Sequence, residues 1–325
     1  MKKYDVIGIG SPLLDFIVGV DDGILAEMDL KKGEMHLIDE KKSKEILKRL
    51  EKHEVKTAPG GSSANTLAGV SVLGGSGVFL GKIGNDKHGD IYEQKTVDGG
   101  VSLKLSRHET MGTGHAITFI TPDSERTFAT HLGAALHFRK EDVFEEEIKA
   151  SKILHIEGYQ LEDSELKAAS LHAMKIAKEN KVKVSVDLSD PGLIGRNLEA
   201  LRKIVKEYAD IVFVNETEAE AFTGKNDEEA LHEIYDMCEI AVVKLGEQGS
   251  IIKANDMIYR IPMYKVNVVN TNGAGDMYAA GILYGIANGI DIEKAGKMGS
   301  YAASRVVGQV GARLKKGDLD NAKID

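Results

Sequence analysis

The chain has 325 residues, enough to bury most of its apolar surface in one large domain, alone or with a small appendage. Its 42 Lys and Arg against 51 Asp and Glu give a net charge of −9, which repels a phosphate backbone and argues against nucleic acid as a partner. A single cysteine, Cys238, cannot form an internal disulfide or a thiolate metal cluster, and no apolar run approaches the ~20 residues of a membrane helix.

The N-terminal residues 1–8 are basic but pass into a short apolar strand rather than a signal-peptide core, so the chain reads as cytoplasmic. Two stretches, 16–39 and 102–130, then interrupt the rhythm of the rest. Short alternating runs such as His115-Ala116-Ile117-Thr118-Phe119-Ile120 predict antiparallel strands that could pair into one small sheet. Such a sheet is either a lid able to close over a substrate or a set of ordinary edge hairpins, and periodicity alone does not separate the two.

Beyond 150 the chain alternates strand-like apolar runs with helix-period segments. Residues 152–155 predict a strand. Leu166, Ala169, Ala173, Ile176 and Ala177 then recur at helical spacing, and 182–188 is the next strand. Strands at 211–214 and 240–245 follow, with helices at 216–222 and 227–237 between them. That order predicts a doubly wound, mainly parallel sheet flanked by helices, an α/β core formed by 1–15, 40–101 and 131–325, with the small β unit formed by 16–39 and 102–130. The polar residues 315–325 are expected to be loosely held.

The most informative segment is Val268-Val269-Asn270-Thr271-Asn272-Gly273-Ala274-Gly275-Asp276, which leads into a helical run through Met277, Ala280, Ile282, Leu283 and Ile286. Where small residues open a helix, the first N–H groups lack internal partners and point outward, which makes an anion site. Gly273 and Gly275 let backbone approach a phosphate, and Asp276 falls in the first turn, where the helix dipole favours the ionised carboxylate as acceptor of a hydroxyl proton. The same segment also reads as a glycine-rich turn with an aspartate suited to any helix N-terminus. Two other phosphate motifs fail. A P-loop needs G-x-x-x-x-G-K-[ST], but Gly81-Lys82 is followed by Ile83 and preceded five residues earlier by Ser76. The dinucleotide fingerprint lacks its third glycine, because Leu13 stands there after Gly8 and Gly10.

Read together, this loop and Gly60-Gly61-Ser62-Ser63-Ala64-Asn65 resemble the two signatures of the ribokinase-like (PfkB-type) carbohydrate kinase family. The resemblance extends through Gly8 to Asp15, Gly81-Lys82-Ile83-Gly84-Asn85-Asp86, Asn215-Glu216-Thr217-Glu218 and Gly311-Ala312-Arg313. Within the family, Pro12-Leu13-Leu14-Asp15, Glu125 to Thr130, Asp187-Leu188-Ser189-Asp190-Pro191 and Thr271-Asn272-Gly273 are similar to adenosine kinases.

The resemblance implies a kinase that moves the γ-phosphoryl of Mg-ATP to a primary hydroxyl, first of all that of adenosine or a related nucleoside, with a free sugar or sugar acid as the alternative acceptor. A non-catalytic nucleotide-binding protein on the same fold is the alternative from another class. By resemblance, Asp276 is the base beside an anion hole of Gly273, Ala274 and Gly275, while Asp15, Gly61 and Asn65 grip sugar hydroxyls. Arg126, in the expected small sheet, could neutralise phosphate oxygens on closure. Lys244, Gly246, Gly249, Thr271 and Asn272 fall on the ATP side. Asn215 and Glu218 match an N-x-x-E motif that holds magnesium through water, and the same spacing is a helix-capping arrangement. Leu13, Met35 and Leu37 could line an apolar slot for a base. Three positions depart from the pattern: Asn270 where the family has Asp, Ser11 where adenosine kinases have Asn, and Gln160 where an aromatic would stack on the purine. The expected partners are small molecules, with no nucleic acid or membrane, and the chain is expected to be a monomer or homodimer.

Overall fold

The computed structural model describes residues 2–123 and 125–319; Met1, Ser124 and 320–325, part of the expected core, small unit and loose tail, lie outside the described residues. Fourteen strands are present among the described residues: β1 (Tyr4–Ile9), β2 (Leu14–Gly19), β3 (Met35–Leu37), β4 (Lys56–Pro59), β5 (Gly77–Gly84), β6 (Ser102–His108), β7 (His115–Ile120), β8 (Arg126–His131), β9 (Ser151–Glu157), β10 (Lys183–Asp187), β11 (Ile211–Asn215), β12 (Ile240–Lys244), β13 (Ser250–Ala254) and β14 (Met257–Ile261).

Nine of them form a sheet in the order β14-β13-β12-β11-β10-β9-β1-β5-β6. From β6 to β12 every pairing is parallel, and only the β13–β14 edge is antiparallel. The strands read as continuous apolar runs because both faces are covered. Ile7, Val184, Val186, Val212 and Val214 face one core layer with the helices Ser164–Glu179 and Pro191–Tyr208. Val6, Ile211 and Phe213 face another with the helices Ser62–Val72 and Ala274–Ala287. The helix Ser164–Glu179 illustrates how the sequence specifies an element. Asp163 caps it by accepting from Glu165 N and Leu166 N, and its buried residues include Leu166, Ala169, Ala173, Ile176 and Ala177, the periodic set read from the sequence.

The remaining strands form a five-stranded sheet in the order β3-β8-β7-β2-β4, and its composition departs from expectation in three ways. It is mixed rather than antiparallel: β2–β4 and β7–β8 are antiparallel, but β2–β7 and β3–β8 are parallel. Residues 102–108, expected in this unit, instead form β6 and pair in parallel with β5, because the helix Lys87–Asp98 supplies a βαβ crossover. Lys56–Pro59, expected in the core, joins the small sheet as the partner of β2. One face of this sheet is closed by Leu14, Phe16, Val18, Ile117, Phe119 and Ala129, which share a core layer with Ile46 and Leu50 of the helix Glu40–Leu50. The other face carries Asp15, Ile17, Thr118, Ile120 and Arg126 and looks into a cleft.

Residues 316–319 form turns, with Leu319 half-buried against the cluster of Met277, Ala302, Val306 and Leu314. Among the described residues no helix is long and apolar enough to cross a membrane.

Candidate active site

The polar side chains at the C-terminal ends of the parallel strands converge. Ser11 follows β1, Glu157 ends β9, Asp187 ends β10, Asn215 ends β11 and Lys244 ends β12. An apolar strand stops where a charged residue can reach the crevice, and in an open parallel sheet that crevice lies where strand order reverses, here between β1 and β9.

Over this edge sits the glycine loop. Gly273 has φ +79, and a Cβ on it would lie 2.5 Å from the Ala312 carbonyl oxygen, so only glycine passes there. The helix Ala274–Ala287 starts immediately after it. A Cβ on Gly275 would lie 3.2 Å from Lys244 Nζ, which places the ammonium against the loop. Asp276, in the first turn, accepts from Ser62 Oγ at 2.6 Å and from Asn65 Nδ2 at 2.9 Å. Burial raises its carboxyl to about 6; the Ser62 and Asn65 hydrogen bonds oppose the rise, the Asp187 charge adds to it and Lys244 opposes it. Burial therefore outweighs the helix dipole invoked from sequence, yet the group is ionised at neutral pH and close enough to it to take a proton.

The two hydrogen-bond donors come from the other signature, on the helix Ser62–Val72. Gly61 precedes it with φ +90, and a Cβ on it would lie 2.3 Å from the Ser11 carbonyl oxygen, so only glycine fits the bend there. The relative placement of the two helices is set by their packing: a Cβ on Gly69 would lie 2.6 Å from Ala280 Cβ.

Asp15, Arg126, Asn270, Asn272, Arg313 and Lys315 supply the charged and amide side chains of a cavity of about 210 Å³ between the small sheet and the loop. Burial raises the Asp15 carboxyl to about 7, and Arg313 opposes the rise. Arg126, at the start of β8, donates to Asn270 Oδ1, so the small sheet reaches the glycine loop through this arginine. Asn270 also accepts from Asn272 N at 2.9 Å and donates to the Gly311 carbonyl at 3.3 Å. An aspartate could not make that last bond. Thr271 is exposed on the loop.

Lys244 pairs with Asp187 at 2.9 Å. Burial would lower its ammonium, but the Asp187 and Glu218 carboxylates hold it above the ordinary value. Asn215 and Glu218 form a full capping box: Glu218 N donates to Asn215 Oδ1, and Asn215 N and Nδ2 donate to the two carboxylate oxygens. Glu218 is buried, which raises it to about 7, with Asp187 adding and Lys244 opposing. Asp187, Glu218 and Asp276 all lie close enough to Lys244 to act on its charge, and among the described residues no three His, Cys, Asp or Glu side chains are grouped so that they could hold a metal ion directly.

Other expected residues lie apart. Met35 and Leu37 are exposed on edge strand β3, separated from β2 and Leu13 by β8 and β7, so the three do not line one slot. Gln160 is buried and donates to Ser11 Oγ at 2.8 Å and to Glu157, so its amide is spent on two of the strand-end residues. Gly246 and Gly249 shape the turn from β12 to β13, where a Cβ on Gly249 would strike the Ile261 carbonyl. Four residues were given no role from sequence: Ser62 and Arg313, Asp187, and Glu157, which accepts from Ser11 N and Ser63 N and ties the end of β1 to the Ser62–Val72 helix. A charged residue ending an apolar strand, as Asp187 does, was the available signal.

A profile of the pfkB family carbohydrate kinases matches residues 32–317. Among curated proteins, the chain is similar to the 5-dehydro-2-deoxygluconokinase of Listeria monocytogenes serotype 4b (strain CLIP80459), with 34% identity over 261 residues, 76% of this chain and 80% of that one. Among solved structures it is similar to a probable sugar kinase from Rhizobium etli CFN 42, at TM-score 0.91 and 32% identity over 100% of both chains. It is also similar to the adenosine kinase from Sinorhizobium meliloti, at TM-score 0.88 and 34% identity over 96% of each chain.

Proposed function

Because the chain belongs to the pfkB family of carbohydrate kinases, we propose that its cleft transfers the γ-phosphoryl group of ATP to the primary hydroxyl of a nucleoside, adenosine first. The observation that carries the reading is the Asp276 carboxyl, held by Ser62 and Asn65 at the start of the helix that follows the glycine loop. A hydroxyl placed against it loses its proton to Asp276 as the new P–O bond forms and the bond to the ADP oxygen breaks. The N–H groups of Gly273 and Gly275 would face the charge that develops, the Ala274 N–H being taken by the Thr271 carbonyl, with Lys244 beside Gly275 and Arg126 at the rim. Asn215 and Glu218 would hold waters of a magnesium ion, which when bound with ATP neutralises phosphate oxygens.

The nucleoside is favoured over a smaller acceptor by the apolar residues that flank Asp15 in the cleft, Ile17, Ala58, Pro59, Ile120 and Val310. They suit the flat face of a base. Arg313 is committed to protein partners, so it is a poor anchor for a substrate carboxylate. A second reading, a sugar acid, is favoured by the cations Arg126 and Lys315 of the same cleft and by the name of the Listeria relative.

Turnover with Mg-ATP across nucleosides, free hexoses and 5-dehydro-2-deoxygluconate tests both. The expected result is kcat/KM for adenosine at least ~100-fold above the others, about 2.7 kcal/mol of discrimination. Turnover of the sugar acid alone reverses the order of the readings, and no turnover with any acceptor sinks the assignment of Asp276.

A further inference from the structure

Arg313 enters the site from the far end of the chain. It follows the helix Ile292–Val307, and its neighbour Leu314 is buried beside Met277, the residue after Asp276. Gln309 Nε2 donates to the Arg313 carbonyl at 2.9 Å, and Ala312 lies over Gly273. The backbone is thus fixed where the guanidinium can reach three acceptors at once: Asn65 Oδ1 at 2.8 Å, Gly60 O at 3.0 Å and Thr96 Oγ1 at 3.3 Å.

The Asn65 contact has a chemical consequence. An amide side chain can present either its oxygen or its NH₂ to a neighbour, but a guanidinium only donates, so Arg313 admits only the oxygen. The NH₂ is then turned the other way, where it donates to Asp276 Oδ2 at 2.9 Å. The Gly60 contact has a second. Asp15 packs on the same glycine, since a Cβ there would lie 2.6 Å from Asp15 Oδ1, and both side chains line the same cleft.

We propose that Arg313 is the positioning residue of the acceptor end: it fixes the Asn65 carboxamide so that it donates to the base, and it supplies the positive charge opposite Asp15. The proposal rests on the reading of Asp276 as base and Asp15 as acceptor-binding group. The direction in which Arg313 moves the Asp15 carboxyl, down against the rise caused by burial, agrees with it. The other charged groups around Asp276 are Asp187, Lys244 and Glu157, and those around Asp15 are Arg126 and Lys315; none of them bonds to Asn65.

Two variants separate the charge from the fork. Arg313→Gln removes the cation. Arg313→Lys keeps it but cannot span Asn65, Gly60 and Thr96 together. Carboxyl titrations by ¹³C NMR give a readout that needs no turnover, and kinetics with adenosine and ATP give the second. For Arg313→Gln, Asp15 should titrate about one pH unit or more higher, with KM for adenosine up at least ~10-fold and KM for ATP within about twofold of the parent. For Arg313→Lys, Asp15 should titrate near its parental position while kcat falls about tenfold, because Asn65 is no longer oriented. Unmoved titrations in both variants, or equal losses for adenosine and ATP, would overturn the proposal. If Arg313→Gln does not fold, Arg313→Lys with parental kcat overturns it alone. Failure of the functional reading shows elsewhere, as normal kcat in Asp276→Asn.

Discussion

Replacing Asp276 with asparagine separates its chemistry from its packing. The new Oδ1 can accept from Asn65 Nδ2, and the new NH₂ can donate to Ser62 Oγ, since a hydroxyl accepts as readily as it donates. Both hydrogen bonds survive and only the proton acceptor is lost. The expected fall in kcat is about 100-fold or more, equivalent to roughly 2.7 kcal/mol, with ATP binding unchanged. Stability should move the other way. The folded enzyme raises this carboxyl from 3.8 to about 6, so the parent's stability from this group is fully present below the unfolded pKa and is lost as pH rises through the folded one. At neutral pH the parent carries a penalty that asparagine lacks. A rise of that size bounds it at about 3 kcal/mol, and solvent reaching the half-buried side chain reduces it to the order of 1 kcal/mol. The variant should therefore melt on the order of a degree or two higher at pH 7.5, with a smaller gain at pH 4. Turnover within about tenfold of the parent, or a melting gain independent of pH, refutes the reasoning.

Gly275→Val puts a branched side chain where a Cβ already lies 3.2 Å from Lys244 Nζ, so the ammonium must leave Asp187 or the loop must move. kcat should fall at least ~10-fold in a variant that still folds by circular dichroism, and parental kinetics would remove the loop from the chemistry. Glu218→Gln places an NH₂ against a backbone or amide donor of Asn215 and weakens the acceptor for metal-bound water. The magnesium concentration for half-maximal rate should rise about tenfold, and an unchanged titration assigns the pair to capping alone. Asn270 offers no charge to a monovalent cation, and its Oδ1 already accepts from Arg126 and Asn272. Turnover in potassium should exceed that in a bulky organic cation by less than about tenfold, or 1.4 kcal/mol; a larger ratio contradicts the assignment.

The parallel core was legible because strands covered on both faces leave uninterrupted apolar runs such as Ile211-Val212-Phe213-Val214. The small sheet was legible as a disturbance but not in membership. Its pairings join residues far apart, Asp15 with Ala116 and Phe128 with Met35, and nothing local marks Lys56–Pro59 as a partner of β2. At the site, the glycine loop could be found because backbone conformation constrains residue type. Arg313 stood out only within the Gly311-Ala312-Arg313 resemblance, and its role could not be read, because its three partners come from distant parts of the chain. Asn215 and Glu218 form a capping box whose spacing alone does not separate it from a metal-holding motif, and Gln160, where the resemblance expects an aromatic, is buried against Ser11.

The contact between Gly69 and Ala280 gives the molecule a hidden adjustment screw. Ser62 and Asn65 ride on one helix and Asp276 on the other, so the joint sits about 10 Å along its helix from Ser62. A single methyl group added there would prise the helices apart like a wedge under a lever, opening the distance from Asp276 to its donors without touching the cleft. In a genetic screen, such a lesion would masquerade as a catalytic mutant. Graded substitution at this one position offers a dial for alignment that leaves every reacting group in place.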